Sequence, residues 1–163
     1  MKTLLVMRHA KSDWNADYER DHDRPLNDRG VRSARLMGEL LTEKGHAPDI
    51  VITSTAVRAQ STASLAKETG NWNADLTLEP DLYGAGVDRV IEVAAAAPDV
   101  ARVMLVGHQP TWSALVAALT GDRVDMKTAA VAVIEFDIDV WAELPASRGN
   151  LIATYQPRDY PQL

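Results

Sequence analysis

The chain has 163 residues, 46% hydrophobic and 25% charged, with a formal net charge of −6 and no cysteine. That length suits one domain with a sizeable core, and the composition excludes collagen-like, low-complexity and wholly disordered classes. The acidic balance argues against nucleic acid as a partner, and the lack of cysteine removes disulfide frameworks, thiolate nucleophiles and cysteine-ligated metal sites.

From the N-terminus, Leu4, Leu5, Val6 and Met7 form an apolar run without helical period, read as a strand over Thr3 to Met7 buried on both faces. The run is too short for a signal-peptide core or a membrane span, so the expected location is the cytoplasm, away from membranes. Asp13 to Arg29 is dense in charge and reads as a long surface loop able to close as a lid. Asn27 or Asp28 then caps a helix carrying Val31, Ala34, Met37, Leu40 and Leu41, stopped by Gly45. Asp49 to Thr53 reads as a second strand, followed by a helix from Val57 to Thr69 closed by Gly70. A weaker strand at Leu76 to Leu78 enters the turn-rich stretch Pro80 to Gly86, and a helix from Asp88 to Ala97 is stopped by Pro98. Val103 to Val106 is the third clean strand; Pro110 opens the next helix at its first position and Gly121 ends it. Val131 to Phe136 and Leu151 to Tyr155 are the last strands, and Pro157 to Leu163 is a proline-bearing tail. The alternation predicts one α/β domain over 1–163: a three-layer sandwich with a mostly parallel central sheet and helices on both faces.

In such sheets ligands bind beyond the carboxyl ends of the strands. The first strand ends in Arg8-His9, the second leads through Ser54-Thr55 to Arg58, and the third ends in Gly107-His108. Two guanidiniums matched to phosphoryl oxygens, with helix N-termini nearby, predict a phosphate cradle. A neutral imidazole beside it can attack phosphorus and form a phosphohistidine that water cleaves, which makes His9 the candidate nucleophile.

Arg8-His9-Ala10-Lys11-Ser12-Asp13-Trp14-Asn15 resembles the opening signature of the histidine phosphatase (phosphoglycerate mutase-like) superfamily. Ser54 to Thr62 resembles its second-arginine segment and Val106 to Pro110 its second-histidine segment, in the same order. Ala10-Lys11-Ser12, Asp23-Arg24-Pro25-Leu26, Pro157-Arg158 and the short chain together resemble the SixA-like phosphohistidine phosphatases, over nearly the whole chain. The resemblance implies His9 as the phosphorylated nucleophile, Arg8, Arg58 and His108 as phosphate ligands, and no metal or other cofactor. Ser12 and Asn15 match positions that contact phosphate in some relatives. Lys11, Arg20 and Arg24 are expected at the rim, where they would steer a phosphorylated partner.

Phosphomonoester members of the superfamily carry a glutamate proton donor in a loop that reads here Leu78-Glu79-Pro80-Asp81-Leu82-Tyr83-Gly84. The expected acid position aligns with Gly84, leaving Glu79, Asp81 and Tyr83 as displaced substitutes. An alkoxide leaving group needs that proton, whereas a phosphoramidate nitrogen can be protonated by solvent, so protein phosphohistidine is the favoured substrate. A small phosphorylated metabolite, or a phosphate-binding module without turnover, are the alternatives, with mutase action behind both. His22 and His46 read as surface residues, the acidic run around Asp13 to Asp23 as a solvated loop without metal, and the four tryptophans as core or half-buried. The expected oligomeric state is a monomer.

Overall fold

In the computed structural model, which describes residues 1–160, the sheet is organised around β1 (Lys2–Arg8) and β4 (Arg102–Gly107). These pair in parallel from Thr3 opposite Arg102 to Arg8 opposite Gly107. β2 (Ile50–Thr53) lies parallel on the far side of β4, and β3 (Asp75–Leu78) parallel beyond it at the edge. On the other side of β1, β5 (Val131–Phe136) runs antiparallel and β6 (Asn150–Tyr155) antiparallel again. The order is therefore β3-β2-β4-β1-β5-β6. Central strands are apolar because both faces are covered, while β6 alternates between exposed and half-buried residues, as an edge strand does.

Successive side chains of β1 and β4 point to opposite faces and build two cores. Leu4, Val6, Val103 and Leu105 pack with α3 (Val87–Ala95), α4 (Thr111–Thr120) and a 3-10 segment, Trp141–Ala146, that the sequence reading missed. Leu5, Met7, Met104 and Val106 pack with α1 (Asp28–Glu43) and α2 (Val57–Gly70). This is the three-layer α/β sandwich expected. No helix among the described residues is long and apolar enough to cross a membrane.

Local signals set most boundaries. Asn27 caps α1, its side-chain oxygen accepting from the Gly30 N–H at 2.8 Å. Two helix stops and one start differ from expectation. Gly70 is still helical, and Asn71, at φ 54°, takes the left-handed position that ends α2. Pro110 caps α4 from outside rather than occupying its first turn, and α3 ends at Ala95, before Ala97. The 161–163 end of the expected tail lies outside the described residues; Pro157–Asp159 forms a short 3-10 turn.

α1 and α2 approach each other through the small residues Ala34, Gly38, Ala59, Ala63 and Ala66. A Cβ added at Gly38 would stand 2.1 Å from the Ala66 carbonyl oxygen, a backbone atom that cannot rotate away. Gly38→Ala is expected to destabilise the fold by about 1–3 kcal/mol, read as a lower denaturant midpoint at unchanged slope.

Candidate active site

The register of β1 against β4 delivers both histidines to one place. His9 N–H donates to the Gly107 carbonyl at 3.0 Å, and the two imidazole centroids stand 5.3 Å apart. Behind them, the ring of buried Trp112 fills the space a side chain at Gly107 would need, fixing the end of β4. Arg58 enters from the first turn of α2, and with Arg8, Ser12 and Arg24 these histidines line a cavity of about 200 Å³.

His9 is 7% exposed, and its Nδ1 lies 2.7 Å from the Ala10 carbonyl oxygen. A carbonyl only accepts, so Nδ1 carries the proton and Nε2 keeps a free lone pair. Burial first, then the charges of His108, Arg58 and Arg8, lower the His9 pKa to about 3, against an opposing bond to Ala10. Burial and the Arg58 charge lower that of His108 to about 4. Ser54 Oγ accepts from the Ala56 N–H at 3.2 Å and lies 2.8 Å from His108 Nε2. His108 Nδ1, Arg8 Nε and Arg58 Nε are buried without a hydrogen-bond partner. Two guanidinium N–H donors and a ring nitrogen of His108, next to an imidazole lone pair, are suited to an oxyanion.

The remaining guanidinium contacts position these groups. Arg8 Nη1 donates to the Met126 carbonyl at 3.1 Å. Arg58 donates from Nη1 to the Asp21 carbonyl at 2.7 Å and from Nη2 to Asp21 Oδ2 at 2.9 Å. Asp21 also pairs with Arg24 and accepts from the Tyr83 hydroxyl at 2.8 Å. Burial pushes its pKa up, but the bonds from Tyr83 and Arg58 and the Arg58 charge prevail and hold it at about 2. Tyr83 is raised from its usual value, mainly by donating to that carboxylate, and its ring meets His108 edge-on with centroids 5.5 Å apart.

Residues 4–86 match the model of the histidine phosphatase superfamily, branch 1. The chain belongs to that family. A Mycobacterium tuberculosis protein of uncharacterised function is 37% identical over 164 residues, covering 93% of this chain and all of that one (100%). Among solved structures, a candidate phosphohistidine phosphatase SixA from Nakamurella multipartitia is 32% identical with TM-score 0.81, covering 96% of both chains. The protein histidine phosphatase SixA complexed with tungstate is 25% identical with TM-score 0.83, covering 96% of this chain and 98% of that one. The histidine phosphatase fold with these neighbours supports phosphatase activity.

Of the residues singled out in the sequence, the chain gathers His9, Arg8, Arg58, His108, Ser12 and Lys11 around the cavity. Asn15 and Arg20 do not line it. Asn15 is exposed, its backbone N–H turned into a local bond with Asp13, and the Arg20 side chain lies in solvent 3.5 Å from Asp23. Arg24, expected at the rim, is only 4% exposed, donates from Nε to Ser12 Oγ at 2.9 Å and lies 3.6 Å from the Trp14 ring centroid. His22, expected as a plain surface residue, is half-buried, bonds Thr55 Oγ1 at 2.8 Å and meets Tyr83 edge-on. Glu79 accepts from the Asp81 N–H and Asp81 pairs with Arg89, so both are committed outside the cavity. The loop from 13 to 27 is latched to the site through Asp21 rather than standing open.

The low histidine pKa values give a direct test. Nitrogen-15 NMR of the imidazoles should show His9 and His108 uncharged from pH 8 down to about 5, where an ordinary histidine is protonated. The unfolded chain takes up those protons near pH 6.5 and the folded chain does not. Stability contributed by the two rings is therefore complete above that pH and declines as pH falls toward about 4 and then about 3.

Proposed function

We propose that this histidine phosphatase removes phosphate from phosphohistidine on a protein, through a covalent intermediate on His9 and without a metal. The reading is carried by one observation: among the described residues, no carboxylate lines the cavity. Glu79 caps a turn, Asp81 is held by Arg89, and Asp21 is ionised between Arg58 and Arg24. An ester oxygen would leave unprotonated, whereas an imidazole nitrogen protonated by solvent departs as a neutral ring.

In the first step His9 Nε2 donates its lone pair to phosphorus as the substrate P–N bond breaks, and the electron pair leaves with the protonated substrate imidazole. Arg8 Nε, Arg58 Nε and His108 Nδ1 are matched to the phosphoryl oxygens, on which charge is spread in the transition state. The fixed charge of the two guanidiniums supplies the electrostatic work a metal cation would otherwise do. Water then attacks phosphorus, His9 Nε2 recovers its pair, and phosphate leaves. The likeness to a SixA structure holding tungstate, a tetrahedral oxyanion, supports an oxyanion site of this kind.

Phosphate release from a phosphohistidine-bearing protein, side by side with an aryl phosphate in excess chelator, tests the reading. Release from the protein should be chelator-resistant, faster than from the aryl ester and lost in His9→Ala. Arg58→Ala should lower kcat/KM by roughly 10²–10³-fold. Faster aryl phosphate turnover would make it a phosphomonoesterase with another proton donor. A phosphoryl group trapped on His9 without release would make it a binding module.

A further inference from the structure

A second cavity, of about 370 Å³, adjoins the first and shares Arg8, Lys11 and Thr128 with it. Its cations are Arg8, Lys11, Arg29, Lys127 and Arg158, and among the described residues no carboxylate lines it. On a chain of net charge −6 this is a local inversion of sign. It is not the solvated face of one helix, because the cations come from separate segments held together by backbone contacts. The Asn27 N–H donates to the Lys11 carbonyl at 3.0 Å, and a Cβ at Gly30 would lie 2.1 Å from that oxygen, so the start of α1, with Arg29, sits directly on Lys11. The Ala129 N–H donates to the His9 carbonyl at 3.0 Å and ties the Lys127 segment to the end of β1. Arg158 arrives on the turn after β6.

Among the described residues Lys11, Arg29 and Arg158 have no ion-pair partner; Lys127 pairs with Asp125 at 2.6 Å, whose carboxylate does not line this cavity. Arg8 spans both cavities, and its buried Nε has no partner. Like charges gathered in one concavity repel each other and are relieved by an anion.

We propose that Arg29, Lys127 and Arg158, with Lys11, form a second anion subsite that holds a further carboxylate or phosphate of the molecule whose phosphoryl group occupies the His9 cavity. The inference rests on the phosphoryl-transfer reading of that cavity. Because its side chains are exposed, the subsite acts on substrate choice and capture rather than on the chemical step, and it weakens with salt. The two sources of such an anion are acidic side chains beside a phosphohistidine and the second phosphate of a small bisphosphate.

The test compares the wild type with Arg29→Gln/Arg158→Gln and with a distant charge control, Lys44→Gln/Arg123→Gln. The turnover probes are phosphoramidate, a phosphohistidine peptide flanked by glutamates and its glutamine counterpart. By calorimetry, an alkanediol bisphosphate is compared with the matching alkyl monophosphate. At low salt the wild type should favour the glutamate peptide or the bisphosphate by roughly five- to tenfold, the sum of two exposed charge pairs. The subsite variant should abolish that preference through KM, leaving kcat and phosphoramidate turnover unchanged, while the control retains it. Preference for the glutamate peptide assigns the anion to a protein, and preference for the bisphosphate alone assigns it to a small molecule. Equal treatment of charged and uncharged probes by the wild type, or loss of preference in the control, overturns the subsite. Failure to turn over phosphohistidine with the bisphosphate preference intact would sink the proposed function and leave the subsite standing.

Discussion

The site depends on the parallel pairing of β1 with β4, which ends with Arg8 opposite Gly107. Adjacent strands of a sheet lie about 4.8 Å apart, so residues one step beyond a paired end are neighbours whatever their distance in sequence. His9 and His108 occupy that step, and the His9 N–H on the Gly107 carbonyl extends the ladder through it. A one-residue slip would send His9 toward the opposite face and leave Arg8 in its place. The apolar packing on both faces of β1 and β4 makes such a slip costly, because it would also exchange Leu4 and Val6 with Leu5 and Met7 between two different cores. The precision of the chemical site is thus inherited from the burial of the sheet.

Electrostatics complete what register begins. Two imidazoles buried beside guanidiniums cannot readily ionise, and this keeps the His9 lone pair available over the neutral and mildly acidic range. The guanidiniums themselves need partners, and they find them in ways that leave particular N–H groups over. Arg58 directs its terminal nitrogens to Asp21 and Arg8 directs Nη1 to Met126, and in each the buried Nε is left without a partner. Asp21 has a double role: it orients Arg58 and Arg24, and through Tyr83 it links the loop from 13 to 27 to the edge of His108. Being ionised, it orients without donating a proton.

The parts of this arrangement legible in the sequence are those that local chemistry determines. Apolar runs identified the central strands, Asn27 and Gly121 marked helix ends, and strand-end positions marked Arg8, His9, Arg58 and His108 as neighbours. The loop was another matter. Asn15 and Arg20 sit in a stretch without periodicity, whose path is set by distant contacts such as the bridge of Ser12 to Leu26. Arg24 was underestimated for the same reason: charge predicts exposure, yet Ser12, Asp21 and the Trp14 ring together satisfy a guanidinium in the interior. The nearby Trp14 and the proline-fixed Arg24-Pro25 step were the available signals. The 3-10 segment at Trp141–Ala146 was hidden because Pro145 and its short length break helical period, although Trp141 and Leu144 are buried.

The chemistry of the leaving group connects these features. When phosphate moves from one imidazole to another, a P–N bond is broken and a P–N bond formed, so the transfer is close to balanced and asks for alignment and charge stabilisation rather than proton donation. Transfer from an ester to His9 would exchange a strong P–O bond for a weaker P–N bond and release an alkoxide, a step that a positioned acid must assist. On the proposed reading, a neutral His9, unpartnered guanidinium N–H groups for the phosphoryl oxygens and an ionised Asp21 suit the first transfer better than the second. The same proposal accounts for how turnover would finish: phospho-His9 would itself be a phosphoramidate, so the features that favour attack on a substrate P–N bond would also favour its hydrolysis by water.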